Sequence, residues 1–252
     1  MFHAQRARGS WAFITFFRMN ARDLALELVK RPALRVLHAS PRGEAAILRV
    51  YLEGEEHAEQ AILLSPATAA APEWLARWLV KHRADEARHA AMLRARITEL
   101  TSRPALATGR MDPVSRWKMR RLGRIARDAA PRFRHGLLVP VLATAWRMER
   151  MGVRVFERHA EVLKGKESST LKLLQRILRD EKKHVAACEW ALARLVSSHE
   201  WNDLQRLVAQ IDRVERAFGV LGAVVLFTLG VTLWLSQPLA SSTSRSQTHA
   251  AT

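Results

Sequence analysis

Apolar residues recur every three or four positions along four long stretches of this chain, the spacing that gives an α-helix one buried face. At about 100° per residue, the stretch from Leu75 to Leu100 lines up Leu75, Leu79, His82, Glu86, His89, Leu93, Ile97 and Leu100 on one stripe. From Leu171 to Leu195 the stripe is Leu174, Ile177, Leu178, Glu181, His184, Val185, Cys188, Leu192 and Leu195, with Arg179, Lys182 and Lys183 turned to water. From Gly136 to Leu163 it runs through Leu138, Leu142, Ala145, Glu149, Val153, Phe156, Ala160 and Leu163. The first stretch, Gly43 to Leu64, buries Ile47, Leu48, Tyr51, Ala58 and Ile62. Short turns link the stretches pairwise, "KGKESS" after Leu163 among them, so the pattern predicts two antiparallel helical hairpins in an all-α fold.

Ionisable residues interrupt these apolar stripes in a repeated way. Glu86 with His89, and Glu181 with His184, are two copies of Glu-x-x-His, each at the centre of its buried face. Residues three apart share a helix face, so one carboxylate oxygen and one imidazole nitrogen of each pair can reach a common ion. Unpaired burial of a carboxylate costs several kcal/mol, and two such pairs in two seams therefore call for a cation. Glu149 is the one acid central to the third stripe. In the first, Glu55 falls inside the stripe, Glu59 lies at its margin, and Glu53 and Glu56 point away with Arg49 and Gln60; Glu55 is the expected ligand. Glu55 precedes Glu86 by 31 residues and Glu149 precedes Glu181 by 32, a weak internal repeat. His82, one turn before Glu86, is placed to orient a ligand from behind, and Tyr51, one turn before Glu55, to donate to a carboxylate or pass an electron. Cys188 reads as a small core residue.

One glutamate from each of two helices plus Glu-x-x-His from each of two others resembles the ligand set of the ferritin-like di-iron or di-manganese carboxylate proteins. The resemblance covers residues 43–199 and implies a four-helix bundle with a long crossover. It further implies metal ligation by Glu55, Glu86, His89, Glu149, Glu181 and His184, two iron ions with manganese as the alternative, and O₂ as a reactant. Within that superfamily the Gly54-Glu55 step and the two ligand spacings look like the membrane-bound demethoxyubiquinone hydroxylases. Ile62 stands where those enzymes often have a tyrosine seven residues after the first ligand.

Beyond the bundle, the sequence from Ala217 to Leu235 runs nineteen residues without a charge. At about 1.5 Å rise per residue it is long enough to cross a bilayer core, and a transmembrane helix is expected, with a hairpin dipping into one leaflet as the alternative. Trp234 suits an interfacial anchor. Arg213 and Arg216 precede the span and only Arg245 follows, which predicts a bundle on the cytoplasmic side. Residues 1–42 read as a basic amphipathic leader containing "WAFITFF" from Trp11, 200–216 as a linker and 236–252 as a polar tail. The Arg-rich, acid-poor N-terminus suits a bacterial inner membrane, with a mitochondrial inner membrane as the alternative.

Charge adds a second pointer to lipid. The net charge is +17, and the crossover 101–135 carries ten Lys and Arg against two acids. Asp112-Pro113 can start a short helix there, in which Trp117, Met119, Leu122 and Ile125 lie among Arg116, Lys118, Arg120, Arg121 and Arg124, a pattern suited to a membrane surface. Such charge also attracts nucleic-acid phosphates, and a tRNA-modifying ferritin-like hydroxylase is a precedent. The apolar span and leader favour membrane lipid instead. The expected function is a membrane-anchored oxidase or monooxygenase using O₂ and an unidentified electron donor on a hydrophobic, quinone-like substrate. The alternative is a tethered ferritin-like or rubrerythrin-like protein handling iron or peroxide.

Overall fold

The computed structural model describes residues 21–64, 69, 71–106, 111–166 and 168–235. The leader segment at Trp11, the tail from 236, and the side chains of 58–64, with Glu59 and Ile62, lie outside the described residues. Among the described residues there are seven α-helices and no strand. They are α1 (Ala21–Leu37), α2 (Pro41–Leu64), α3 (Glu73–Thr101), α4 (Pro113–Ala129), α5 (Leu138–Val162), α6 (Ser169–Leu195) and α7 (Trp201–Leu235).

Local chemistry sets the helix ends. The Ser40 hydroxyl accepts from the Gly43 amide at 3.1 Å, with Pro41 supplying the first helical residue of α2. Asp112 accepts from Val114 N–H at 2.7 Å and Ser115 N–H at 3.1 Å, which starts α4 at Pro113. Ser168 caps α6 through the Leu171 amide at 3.3 Å. Between α5 and α6 the chain reverses through Gly165 at φ +81°, a left-handed conformation that a side chain resists.

Helices α2 and α3 pack as one hairpin and α5 and α6 as another, with α3 against α6. Two apolar layers result. One gathers Leu75 and Leu79 of α3, Leu142 and Trp146 of α5, and Cys188 and Leu192 of α6. The other gathers Leu48 and Leu52 of α2, Leu93 and Ile97 of α3, Phe156 of α5, and Leu174 and Ile177 of α6. The glutamates and histidines of the repeated motif occupy the level between these layers, closed off from water at both ends.

Residues 200–216 are not a linker. From Trp201 onward they form the first half of α7, whose Leu204, Leu207, Ile211 and Val214 complete the first apolar layer. The three- and four-residue spacing of these leucines and their partners is that of a buried helix face. Buried ion pairs hold this half down: Arg147 of α5 meets Asp212, and Lys118 of α4 meets Glu215 at 2.9 Å. Lys118, one of the basic residues of the expected membrane-surface segment, is buried, with its ammonium 4.4 Å from the Phe218 ring centroid. Trp117, Arg120, Arg121 and Arg124 are exposed.

The second half of α7 is long and apolar enough to cross a membrane, with a mean hydropathy of 2.2 over its most apolar window and only 11% of that window buried. Leu226, Leu229 and Leu233 nevertheless pack on Leu34 and Leu37 of α1 and Ile47 of α2. Gly230 lies against Ala33 of α1, where a Cβ would stand in ordinary contact at 3.4 Å.

Candidate metal centre

Two groups of carboxylates and imidazoles meet between the apolar layers. Glu55, Glu86, His89 and Glu181 form one, and His82, Glu86, Glu149 and His184 the other; in each group the donor atoms all lie within 4.8 Å of one another. All seven side chains are buried, none more than 8% exposed. Each group could hold a metal ion, and Glu86 belongs to both. The six residues expected as ligands thus come together, with their partnership rearranged: Glu86 rather than Glu55 or Glu149 stands between the groups, and Glu181 joins His89 rather than His184. The rearrangement follows from helix neighbours, since α3 touches both α2 and α6 and so brings its glutamate to the centre of the chamber.

His82 stands in the donor group itself and not behind it. Its Nε2 lies 3.1 Å from Glu86 Oε1 and 3.1 Å from Glu149 Oε1. His184 Nδ1 lies 3.3 Å from Glu86 Oε1 and 3.6 Å from Glu149 Oε2. In the other group, His89 Nδ1 lies 3.3 Å from Glu55 Oε2 and 3.6 Å from Glu181 Oε1. Glu86 Oε1, His82 Nε2 and His184 Nδ1 are buried and make no hydrogen bond of ordinary geometry. Buried polar atoms are almost always satisfied, so three converging ones with mixed oxygen and nitrogen character could hold a metal ion.

Outer carboxylates face two of the imidazoles by a crossed exchange, with a hydrogen bond at His184 and an ion-pair approach at His89. Asp85 of α3 lies 3.3 Å from Nε2 of His184 on α6, and Asp180 of α6 lies 3.5 Å from Nε2 of His89 on α3. Arg88 joins both aspartates, at 2.6 Å and 2.8 Å. With Nε2 facing an aspartate, each ring presents Nδ1 to the chamber, the outer-carboxylate arrangement found around metal-binding histidines. The sequence carries a signal for this pair, because an aspartate directly precedes the glutamate of both motifs, in "DEARH" and "DEKKH".

Gly152 is a further residue the helical pattern missed. A Cβ at this position would stand 2.8 Å from Glu181 Oε2. Its hydrogen leaves the room in which the Glu181 carboxylate sits, one turn beyond Glu149 on the same helix face.

Electrostatics in the chamber divide the four carboxyls. Burial and the neighbouring Glu86 and Glu149 charges hold Glu55 well above the usual glutamate range, and burial with Glu149, Glu55 and Glu86 does the same for Glu181. Burial also acts on Glu86 and Glu149, but the close His184 and His82 imidazoles, 3.1 to 3.6 Å away, outweigh it and lower both. His184, despite burial, is pushed up to about 10 by Glu149 and Glu86. His89 goes down, chiefly through burial. Burial and mutual repulsion thus favour the protonated form at Glu55 and Glu181, protons that an incoming metal would displace.

Other acids near the chamber are otherwise engaged. Glu53 accepts from the Asp112 amide at 3.0 Å and ties the crossover to α2. Glu56, expected to face water, is buried and paired with Arg94, whose Nε lies 3.0 Å away. Tyr51 turns from the chamber to His159. Comparison with protein-family models, curated proteins and solved structures finds no match to this chain.

Proposed function

We propose that this protein is a membrane-associated di-metal oxidase or monooxygenase with a ferritin-like four-helix core formed by α2, α3, α5 and α6. The observation carrying this reading is the pair of buried donor groups that share Glu86. Glu55, Glu86, His89 and Glu181 would hold one iron or manganese ion, and His82, Glu86, Glu149 and His184 the other. Bound iron or manganese supplies the redox change and the affinity for O₂. The chain supplies orientation through Asp85 and Asp180, room through Gly152, and exclusion of bulk water through Leu79, Trp146, Leu93 and Phe156 on either side. Glu55 and Glu181 hold protons at their carboxyls in the metal-free state and release them as metal enters.

A hydrophobic substrate is supported by the apolar half of α7. Its inner face is committed to α1 and α2, so its outer face, with Leu221, Val224, Val225, Phe227, Val231 and Trp234 exposed, is the part offered to lipid. Leu24 and Leu28 of α1 are exposed as well. This supports insertion of an α1–α7 pair into one leaflet rather than a free-standing span, with Arg213 and Arg216 keeping the bundle on the cytoplasmic side. Exposed Trp117, Arg120, Arg121 and Arg124 of α4 would add contacts to anionic headgroups. The quinone-like character of the substrate rests on the Gly54-Glu55 step and the ligand spacings.

Elemental analysis of the purified full chain, joined to lipid profiling of cells with and without it, tests the reading. Two metal ions per chain and an oxygenated lipid that disappears with Glu86→Ala are expected. Trace metal that is unchanged in Glu86→Ala would sink it. Iron uptake or peroxide loss without an organic product would replace it with the storage or peroxide-handling alternative.

A further inference from the structure

A second buried polar cluster lies beside the chamber and shares no residue with it. The Tyr51 hydroxyl contacts His159 Nε2, His159 Nδ1 lies 2.8 Å from His38 Nε2, and His38 Nδ1 lies 3.3 Å from Glu44 Oε2. Beyond Glu44, the Thr170 hydroxyl and Arg96 donate to Glu44 Oε1, Arg96 at 3.0 Å. His38, Glu44, His159 and Thr170 are all buried.

The acid end dictates the direction of every bond. Burial raises Glu44, but hydrogen bonds from His38, Thr170 and Arg96 outweigh it and bring it down to about 2, so the group is a carboxylate and only accepts. His38 must then donate from Nδ1, which leaves its Nε2 as acceptor for a neutral ring. With His38 neutral, His159 donates from Nδ1 and accepts at Nε2; burial, with the Arg158 charge nearby, holds the His159 pKa well down. Tyr51 is left to donate its phenolic proton. Four groups, on α2, α5 and the turn between α1 and α2, thus form one polarised chain running from Tyr51 to Glu44.

We propose that Tyr51, His159, His38 and Glu44 are a one-way proton relay that makes Tyr51 a redox-active residue beside the metal chamber. Tyr51 lies one helical turn before Glu55, about 6 Å of rise, with its ring edge-on to Phe156 at 5.4 Å. In the step, Tyr51 gives one electron to a one-electron oxidant, an oxidised transition-metal ion in the neighbouring chamber. Its O–H bond breaks and the proton passes to His159 Nε2. His159 passes its Nδ1 proton to His38 Nε2, and His38 passes its Nδ1 proton to Glu44, where a carboxylic O–H bond forms. The products are a neutral tyrosyl radical and a neutral Glu44. The protein gains one positive charge, matching the electron lost. Naming a metal as oxidant rests on the proposed function; the relay itself does not.

Photochemical oxidation of the metal-free full chain by a ruthenium(III) polypyridyl flash-quench separates the two. The chain has one tyrosine, so any tyrosyl signal in electron paramagnetic resonance belongs to Tyr51. A neutral tyrosyl radical is expected, absent in Tyr51→Phe, formed more slowly in D₂O, and formed about a hundredfold more slowly in His159→Gln, as for loss of a positioned base. Glu44→Gln, which keeps a side chain of the same shape, serves if His159→Gln fails to give the wild-type circular dichroism spectrum, and a slowing of the same sense is expected. Tryptophan radicals alone, or tyrosyl formation at the wild-type rate in the folded variants, would overturn the relay. A positive result in protein that binds no metal would retain the relay and remove its oxidant.

Discussion

The metal chamber and the apolar half of α7 depart from ordinary globular chemistry in opposite directions. One buries four carboxyls and three imidazoles between two leucine-rich layers; the other exposes valines, a phenylalanine and a tryptophan along one helix face. Solvated surfaces and apolar cores are the normal arrangement, and each departure points to something outside the polypeptide. A buried cluster of carboxyls and imidazoles whose donor atoms converge invites a cation. An apolar face whose back is already packed invites a lipid phase. The difference also separates two kinds of residue: Glu86 matters through convergence with neighbours on other helices, while Phe227 matters through exposure alone.

The sharpest way to break the comparison is through Glu86. Because it belongs to both donor groups, Glu86→Ala is expected to remove both metals, whereas Glu55→Ala and Glu149→Ala each leave about one ion per chain, as measured by metal content per protein. Equal losses in all three variants would show that the groups do not share a centre. At the membrane, Val224→Glu with Phe227→Glu is expected to release the protein from vesicles, since each inserted charge costs about 3 kcal/mol, without changing its helix content. Leu229→Glu faces α1 instead and is expected to unfold that contact, lowering the melting temperature of the detergent-solubilised protein. If the outward pair lowers it equally, the outer face is structural.

A pH series sharpens the electrostatic side. Glu55 is raised from the ordinary 4.5 in the folded state, so above that pH the native protein holds a proton the unfolded chain has released, and stability falls as pH rises toward the folded value. Metal-free wild type should lose melting temperature as pH rises above about 4.5 more steeply than Glu55→Gln, by at most about 1.4 kcal/mol per pH unit for the one group. Asp180→Asn is expected to weaken metal binding about tenfold to a hundredfold by freeing the His89 ring, read by competition with a coloured chelator. Gly152→Ala, which crowds Glu181, should weaken it by less, about tenfold.

Much of this was readable along the chain. The stripes placed Glu55, Glu86, His89, Glu149, Glu181 and His184 inside because a 3.6-residue period sorts faces without knowledge of neighbours. The same rule did not separate His82 as a donor from a residue behind the ligands, and it missed Gly152, since the contacts of His82 with Glu149 and of Gly152 with Glu181 are made across helices. Asp85 and Asp180 lie off the apolar stripes and so looked like solvated acids, although their repeated place before a glutamate was a usable sign. The segment 200–216 was taken for a linker because its charges obscured the spacing of Leu204, Leu207, Ile211 and Val214; the partners of Asp212 and Glu215, Arg147 and Lys118, lie 65 and 97 residues upstream.

By itself, then, the sequence determined the all-helical class, the level of the carboxylates and histidines along their helices, and the presence of one segment apolar enough for a membrane. These are local properties, written in period, spacing and hydropathy. The tertiary structure decided that Glu86 is the shared acid, that each motif's aspartate serves the other motif's histidine, and that the apolar helix lies with its back to α1. Such choices depend on which helix faces which, a matter of packing between residues far apart in the chain.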